Sequence, residues 1–322
     1  MRLTRFATYA WGVLVYNFAV ILWGAFVRAT GSGAGCGDHW PLCNGQVVPR
    51  AAAVETMVEF THRMTSGFAL LSAIGLIVWA FRAYPKGHRV RRGATASMIF
   101  MVTEALLGAG LVLFELVAHN VSVARVFAMG AHLVNTFLLI GAIALTAWWA
   151  SGFPGIRISR QGPLGSALFV GLFLTLVVGV TGAVIALGDT LFFAHIDRGG
   201  TEENLAPLVQ TLKDLRIMHP LVAVLSSIYL AVVAWQAQRL RPGPAARPLA
   251  WFTIGLIVSQ LIIGVLNVYL RVPVYMQLIH LLFADLIWVA MVLVTASAFA
   301  VEHEQEEVSS TQPIPRRVTS TI

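Results

Sequence analysis

Four of the nine histidines in this 322-residue chain interrupt long apolar runs: His62, His132, His219 and His280. Ionisable groups kept in an apolar, membrane-like interior are costly and usually carry function. Two imidazoles facing each other across a helix bundle suit the axial positions of a haem iron. A bare zinc or copper ion wants three or four close ligands, and each half of the chain offers two. The pattern points to two haem sites, His62 with His132 and His219 with His280. The plainer reading of any single one is a hydrogen-bonded polar group between helices. Two neighbours then break the equivalence. Glu59 lies three residues before His62 and Arg216 three before His219, so each shares a helix face with its histidine. A carboxylate beside an oxidising porphyrin can act as base, stabilise a substrate cation or position water. A guanidinium there binds anions or tunes potential. The first site is expected to do chemistry and the second to handle electrons. A simpler role for Glu59 is to favour the positive end of its helix.

Membrane helices must position these residues. The chain is 57% apolar and 11% charged, against about a quarter charged in soluble domains, and its mean hydropathy is +0.77. Runs of roughly 20 apolar residues suffice to span a bilayer. They fall near 7–29, 58–82, 94–115, 126–150, 163–187, 214–238, 249–270 and 274–300. The fold class is therefore an all-α integral membrane protein of eight transmembrane helices. The first run follows "MRLTRF" and is too long for a signal-peptide core, so it is read as retained. The N-terminus, the loops "RAYPKGHRVRR", "GIRISRQ" and "QRLRPGPAARP", and the tail hold 14 of the 22 Lys and Arg. That bias places both termini in the cytoplasm of a multi-pass protein of the cell membrane. The net charge of +7 is mostly this sidedness; no basic stripe interleaved with aromatics suggests nucleic acid. Each intramembrane histidine lies on an even-numbered run, about 6–10 Å below the outer boundary. His39, His119 and His195 fall in outer loops, His88 in a cytoplasmic loop and His303 in the tail.

The chain also repeats itself. "TEALLGAGLVL" in the third run aligns with "SQLIIGVLNVY" in the seventh, placing Glu104 on Gln260 and Gly108 on Gly264. The "HL" at 132–133 matches that at 280–281, and "WGAFVRATGS" resembles "TGAVIALGDT". Four helices separate the copies, so both halves share one orientation: two pseudo-repeated four-helix bundles. The expected divisions are residues 1–150 with outer loop 30–57, a cytoplasmic linker 151–162, a second bundle 163–300 and a disordered polar tail 301–322. Cys36 and Cys43, the two cysteines, sit in the outer loop "GSGAGCGDHWPLCNG", where a pair can oxidise. A structural staple and a redox-active pair are both open. Arg28, Arg63, Arg125, Arg216 and Arg271 lie at outer helix mouths, where sidedness disfavours them; clamping haem propionates would explain some, and interfacial snorkelling is the alternative. Glu104 and Asp285 are intramembrane acids with no assignable role.

The segments "VRATGSGAGCGDHWPLCNGQVVP", "EFTHRMTSG", the paired "HL" and "ALGDTLF…LRIMHP" closely resemble the haem A synthases, across nearly all of residues 7–300. The resemblance implies an oxidoreductase that converts haem O to haem A, oxidising the C8 methyl to a formyl group by successive hydroxylations and loss of water. The product serves haem-copper terminal oxidases. Carried over, His62 and His132 ligate or face the substrate haem O, His219 and His280 hold a haem b, and Glu59 is the catalytic acid. Cys36 and Cys43 match an outer-loop disulfide found in some relatives; independently of the resemblance, Arg28, Arg63 and Arg216 are the mouth arginines expected to bind the cofactor. The second outer loop, 188–213, lacks cysteine, so a second disulfide seen in some relatives is absent. Expected partners are haem O, a haem O synthase, membrane lipids and, as one arrangement, further copies of the chain. Two other classes compete. A non-catalytic dihaem cytochrome b accounts for the histidines but not for the Glu59/Arg216 contrast. A transporter built on repeats lacks the broken helices such sites use.

Overall fold

The computed structural model describes residues 3–50, 53–118, 120–190 and 206–300. His119, His195, His303 and the tail 301–322 lie outside the described residues. Among those described, eight helices are long and apolar enough to cross a membrane. They are α1 (Arg5–Ala29), α2 (Val54–Ala83), α3 (Arg89–Leu113), α4 (Val123–Ala150), α5 (Gly162–Gly188), α6 (Ala206–Leu240), α7 (Ala246–Tyr269) and α8 (Val274–Ala298). The chain is an all-α, multi-pass membrane protein.

Most helices start a few residues before their apolar runs, α2 and α6 among them. α2 opens at Val54, a turn before its apolar run, and Glu59 within it is 4% exposed. The polar first turns of α2 are covered by the outer loop rather than by an apolar phase: the Thr56 hydroxyl donates to the Gly35 carbonyl at 2.7 Å. α6 opens at Ala206 and carries Pro220 inside it, immediately after His219. Proline has no N–H, so it frees the carbonyl one turn back, that of Arg216.

Helix ends are closed by identifiable side chains and turns. Thr4 caps α1 by accepting from the Ala7 N–H at 3.1 Å, and Ser122 caps α4 from Arg125 at 3.3 Å. At the other end, α3 and α7 terminate alike. Leu116 N–H donates to Leu111 O and Val272 N–H to Asn267 O, both at 2.8 Å. Glu115 N–H donates to Val112 O and Arg271 N–H to Val268 O, both at 3.0 Å. This is the paired-bond C-terminal motif whose turning residue is left-handed; Glu115 has φ 53° and Arg271 φ 62°.

Contacts run α1–α2–α3–α4 and back to α1, and likewise α5–α6–α7–α8 and back to α5. The rings meet through α4 against α8, flanked by α1 against α8 and α4 against α5. α4 and α8 are accordingly the most enclosed spans, with half of each buried within the protein. Phe137 stacks on Trp288 with ring centres 5.4 Å apart, and the Trp288 indole N–H donates to the Phe137 carbonyl at 2.5 Å. The Trp288 edge packs where a side chain on Gly141 would stand. The packed seam thus fixes the two histidine-bearing helices α4 and α8 relative to each other.

Candidate functional site

In the first ring, α2 contributes Glu59, His62 and Arg63, and α4 contributes His132. His62 lies within electrostatic reach of His132 and of Glu104 on α3. Both histidines belong to the first ring, on α2 and α4, each of which packs against α1 and α3. The His62 ring lies across Gly24 of α1, where a β-carbon would stand 2.8 Å from its Cε1. Only glycine leaves that room. His132 Nδ1 lies 3.4 Å from Glu104 Oε2, within ion-pair reach but off-line for a full hydrogen bond.

Glu59 is held from two sides. Its Oε2 accepts from the Cys36 N–H at 2.8 Å. Its Oε1 accepts from Arg63 Nε at 3.0 Å and Nη2 at 2.5 Å. Arg63 Nη1 also donates to the carbonyls of His39 and Leu42, at 2.5 and 2.6 Å. Cys36 and Cys43 form a disulfide that closes the loop thus clasped. Gly35 permits the approach, since a β-carbon there would stand 2.5 Å from the Glu55 carbonyl. The cysteine pair and the acid, separate signals in the sequence, form one unit.

The second ring repeats the arrangement with other partners. His280 of α8 lies within electrostatic reach of His219 on α6. The Thr181 hydroxyl of α5 is 3.1 Å from His219 Nδ1, and a β-carbon on Gly182 would stand 3.2 Å from its Cε1. Gln260 of α7 donates to the His280 carbonyl at 3.1 Å, and Gly264 sits against the ring. Arg216 approaches Asp189 at 3.4 Å with its side chain 48% exposed. Burial raises the Asp189 carboxyl above the ordinary carboxylate range, with Arg216 and Arg28 opposing. Nothing in the sequence singled out Thr181 or the glycines facing His62 and His219, although the alignment of "WGAFV" on "TGAVI" places Gly24 over Gly182; Gly264, facing His280, stood out only as part of the repeat.

The mouth arginines divide by what they hold. Arg28 donates to the Ala186 carbonyl of α5 at 2.7 Å and to Gln277 Oε1 of α8 at 3.1 Å, so it ties the rings together. Arg125, 4% exposed, donates to the carbonyls of Ala118 and Asn120. Arg63 serves Glu59 and the loop. Arg271 is exposed at the end of α7.

These features fit a porphyrin iron, which brings four equatorial nitrogens and asks the protein for two more. His62, His132 and His280 each keep a buried Nδ1 with no hydrogen-bond partner. The rings of His62, His219 and His280 stand over glycines, and no group of three or more His, Cys, Asp or Glu converges among the described residues.

A family model described as Cytochrome oxidase assembly protein (COX15-CtaA) matches residues 7–292. The chain is 51% identical over 295 residues to a Thermus thermophilus protein named Protoheme IX farnesyltransferase, covering 92% of this chain and 48% of that one. It is 29% identical over 270 residues to the Heme A synthase of Geobacillus kaustophilus, 82% of each chain. With the Heme A synthase of Bacillus cereus the identity is 25% over 293 residues, 91% of this chain and 93% of that one. The chain spans about half the length of the Thermus relatives it matches. A match over nearly all eight helices places this chain in the COX15-CtaA family of cytochrome oxidase assembly proteins.

Proposed function

We propose that the chain is a haem A synthase, which oxidises the C8 methyl of haem O to a formyl group in the cytoplasmic membrane. The observation that carries the reading is Glu59: a carboxylate 4% exposed, one turn from His62 and fixed by donors on two sides. The second ring has Arg216 at that position. His62 and His132 of the first bundle, residues 1–150, hold the substrate; His219 and His280 of the second, 163–300, hold a haem b. When bound, the haem b supplies a one-electron carrier. Glu59 would lower the energy of the positive charge that develops at the methyl carbon as it is oxidised. Its three contacts are all donors, so it meets that charge as an acceptor already fixed in place. Arg28, Arg63 and Arg216 are the proposed propionate partners, Arg216 foremost because half of its side chain is reachable.

Haem O would come from a farnesyltransferase-type partner. The Thermus relative carries that name, and this chain accounts for 48% of it. Both termini lie on the cytoplasmic side, as the bias in Lys and Arg requires.

Haem extraction after co-expression with a haem O synthase tests the proposal. Wild-type protein yields haem A, and Glu59→Ala retains its haem but loses haem A by about 10²-fold or more, the scale of removing a preorganised electrostatic group. Haem B alone from the wild type would make the chain an electron-transfer cytochrome. Full haem A yield from Glu59→Ala would remove Glu59 from the chemistry.

A further inference from the structure

Glu104 lies mid-span in α3, and the proposed reaction makes no use of it. An acid taken out of water there is costly unless its oxygens are satisfied. The Thr136 hydroxyl donates to Oε1 at 2.5 Å and Asn135 Nδ2 donates to Oε2 at 2.6 Å. Asn135 is fixed in turn: its Oδ1 accepts from Thr103 at 2.6 Å, and its Nδ2 also reaches the Phe100 carbonyl at 2.9 Å. Side chains on α3 and α4 thus aim one carboxylate, and 3.4 Å from its Oε2 stands His132 Nδ1. The second ring lacks the carboxylate: the Gln260 amide lies 3.4 Å from His280 Nε2. Gln260 occupies the place of Glu104, while Phe283 and Ala284 follow His280 where Asn135 and Thr136 follow His132.

We propose that Glu104 is a positioning residue for the first site: its carboxylate, 3.4 Å from His132 Nδ1, draws the ring proton to that nitrogen by charge and so leaves Nε2 free to bind haem iron. The inference rests on reading His132 as a haem ligand. A carboxylate behind a ligating imidazole sets its orientation and raises its basicity. His132 is therefore a stronger donor than His280, and favours ferric over ferrous iron at the substrate site. The haem at the site where chemistry occurs becomes easier to oxidise than the haem that carries electrons.

The test uses the full chain in detergent with its second-ring haem in place, titrated with hemin and followed by Soret absorbance and spectroelectrochemistry. Glu104→Gln is expected to weaken hemin binding at the first site about 10–100-fold, the range for lost outer-shell partners. The midpoint potential of that haem rises, each tenfold loss of ferric preference reading as about 59 mV for one electron; the second-ring potential stays put. Asn135→Ala, which loosens the α3–α4 contact but keeps the carboxylate, shifts the potential less than Glu104→Gln. Unchanged affinity and potential in Glu104→Gln, or equal shifts at both haems, would overturn the proposal alone. Unchanged first-site binding in His132→Ala would overturn the ligand reading and this proposal with it. If Glu104→Gln does not accumulate, the ferric EPR spectrum of the hemin-loaded wild type decides: greater imidazolate character at the first haem is expected, and two identical signals refute it.

Discussion

At the scale of single residues, the site is shaped as much by missing side chains as by present ones. Gly24 and Gly182 stand on α1 and α5, each facing the histidine of the following helix. A branched side chain at Gly24 needs the space that His62 fills, 2.8 Å from the first added carbon. Gly24→Val is expected to abolish hemin uptake at the first site while leaving the second-ring spectrum intact, a split that haem-to-protein stoichiometry checks. Gly182→Val should show the reverse. The histidines were legible because an imidazole in an apolar run is conspicuous. The glycines were not, since glycine is ordinary in membrane helices and only the neighbouring helix shows what each one accommodates. Glu104 falls between: its cost was evident, but its partner His132 lies on the next helix and is reached only by folding.

At the scale of elements, the apolar runs located all eight helices, and the ends moved where polar residues found partners. α2 gains its first turn because the disulfide loop covers it, a contact no local hydropathy encodes. The ends of α3 and α7 were equally hidden. A left-handed turning residue is normally announced by glycine or asparagine, yet here it is Glu115 and Arg271. Side chains in that conformation cost about 1 kcal/mol. Glu115→Gly is therefore expected to stabilise the α3 terminus by up to about that amount, less the entropy glycine adds to the unfolded chain. Slower amide exchange at Leu116 would register it; faster exchange would show that the Glu115 side chain contributes more than its backbone strain costs.

At the scale of the whole molecule, the halves were visible in the sequence and their joint was not. Arg28 appeared there only as a partner for an anionic ligand. In the structure it reaches from α1 to α5 and α8, and its acceptor Ala186 is the residue aligned with it in the other half. Hydrogen bonds from a charged group are worth about 1.5–3 kcal/mol each, and the carbonyl they satisfy is left wanting if they go. Arg28→Met is expected to uncouple the rings: haem loss from the two proposed sites, expected to be concerted on heating the wild type, should split into two separate temperatures. Concerted loss in Arg28→Met would assign the coupling to the α4–α8 seam alone.

The loop between Cys36 and Cys43 looks like tolerant surface, with Trp40 and Leu42 each more than a third exposed. Its side chains are free to vary, but its length is not. Two of its carbonyls converge on one Arg63 nitrogen, and its first cysteine meets Glu59 through the backbone. An inserted or deleted residue would pull the ruler away from the acid it measures, so this is a stretch where identity can drift and indels cannot.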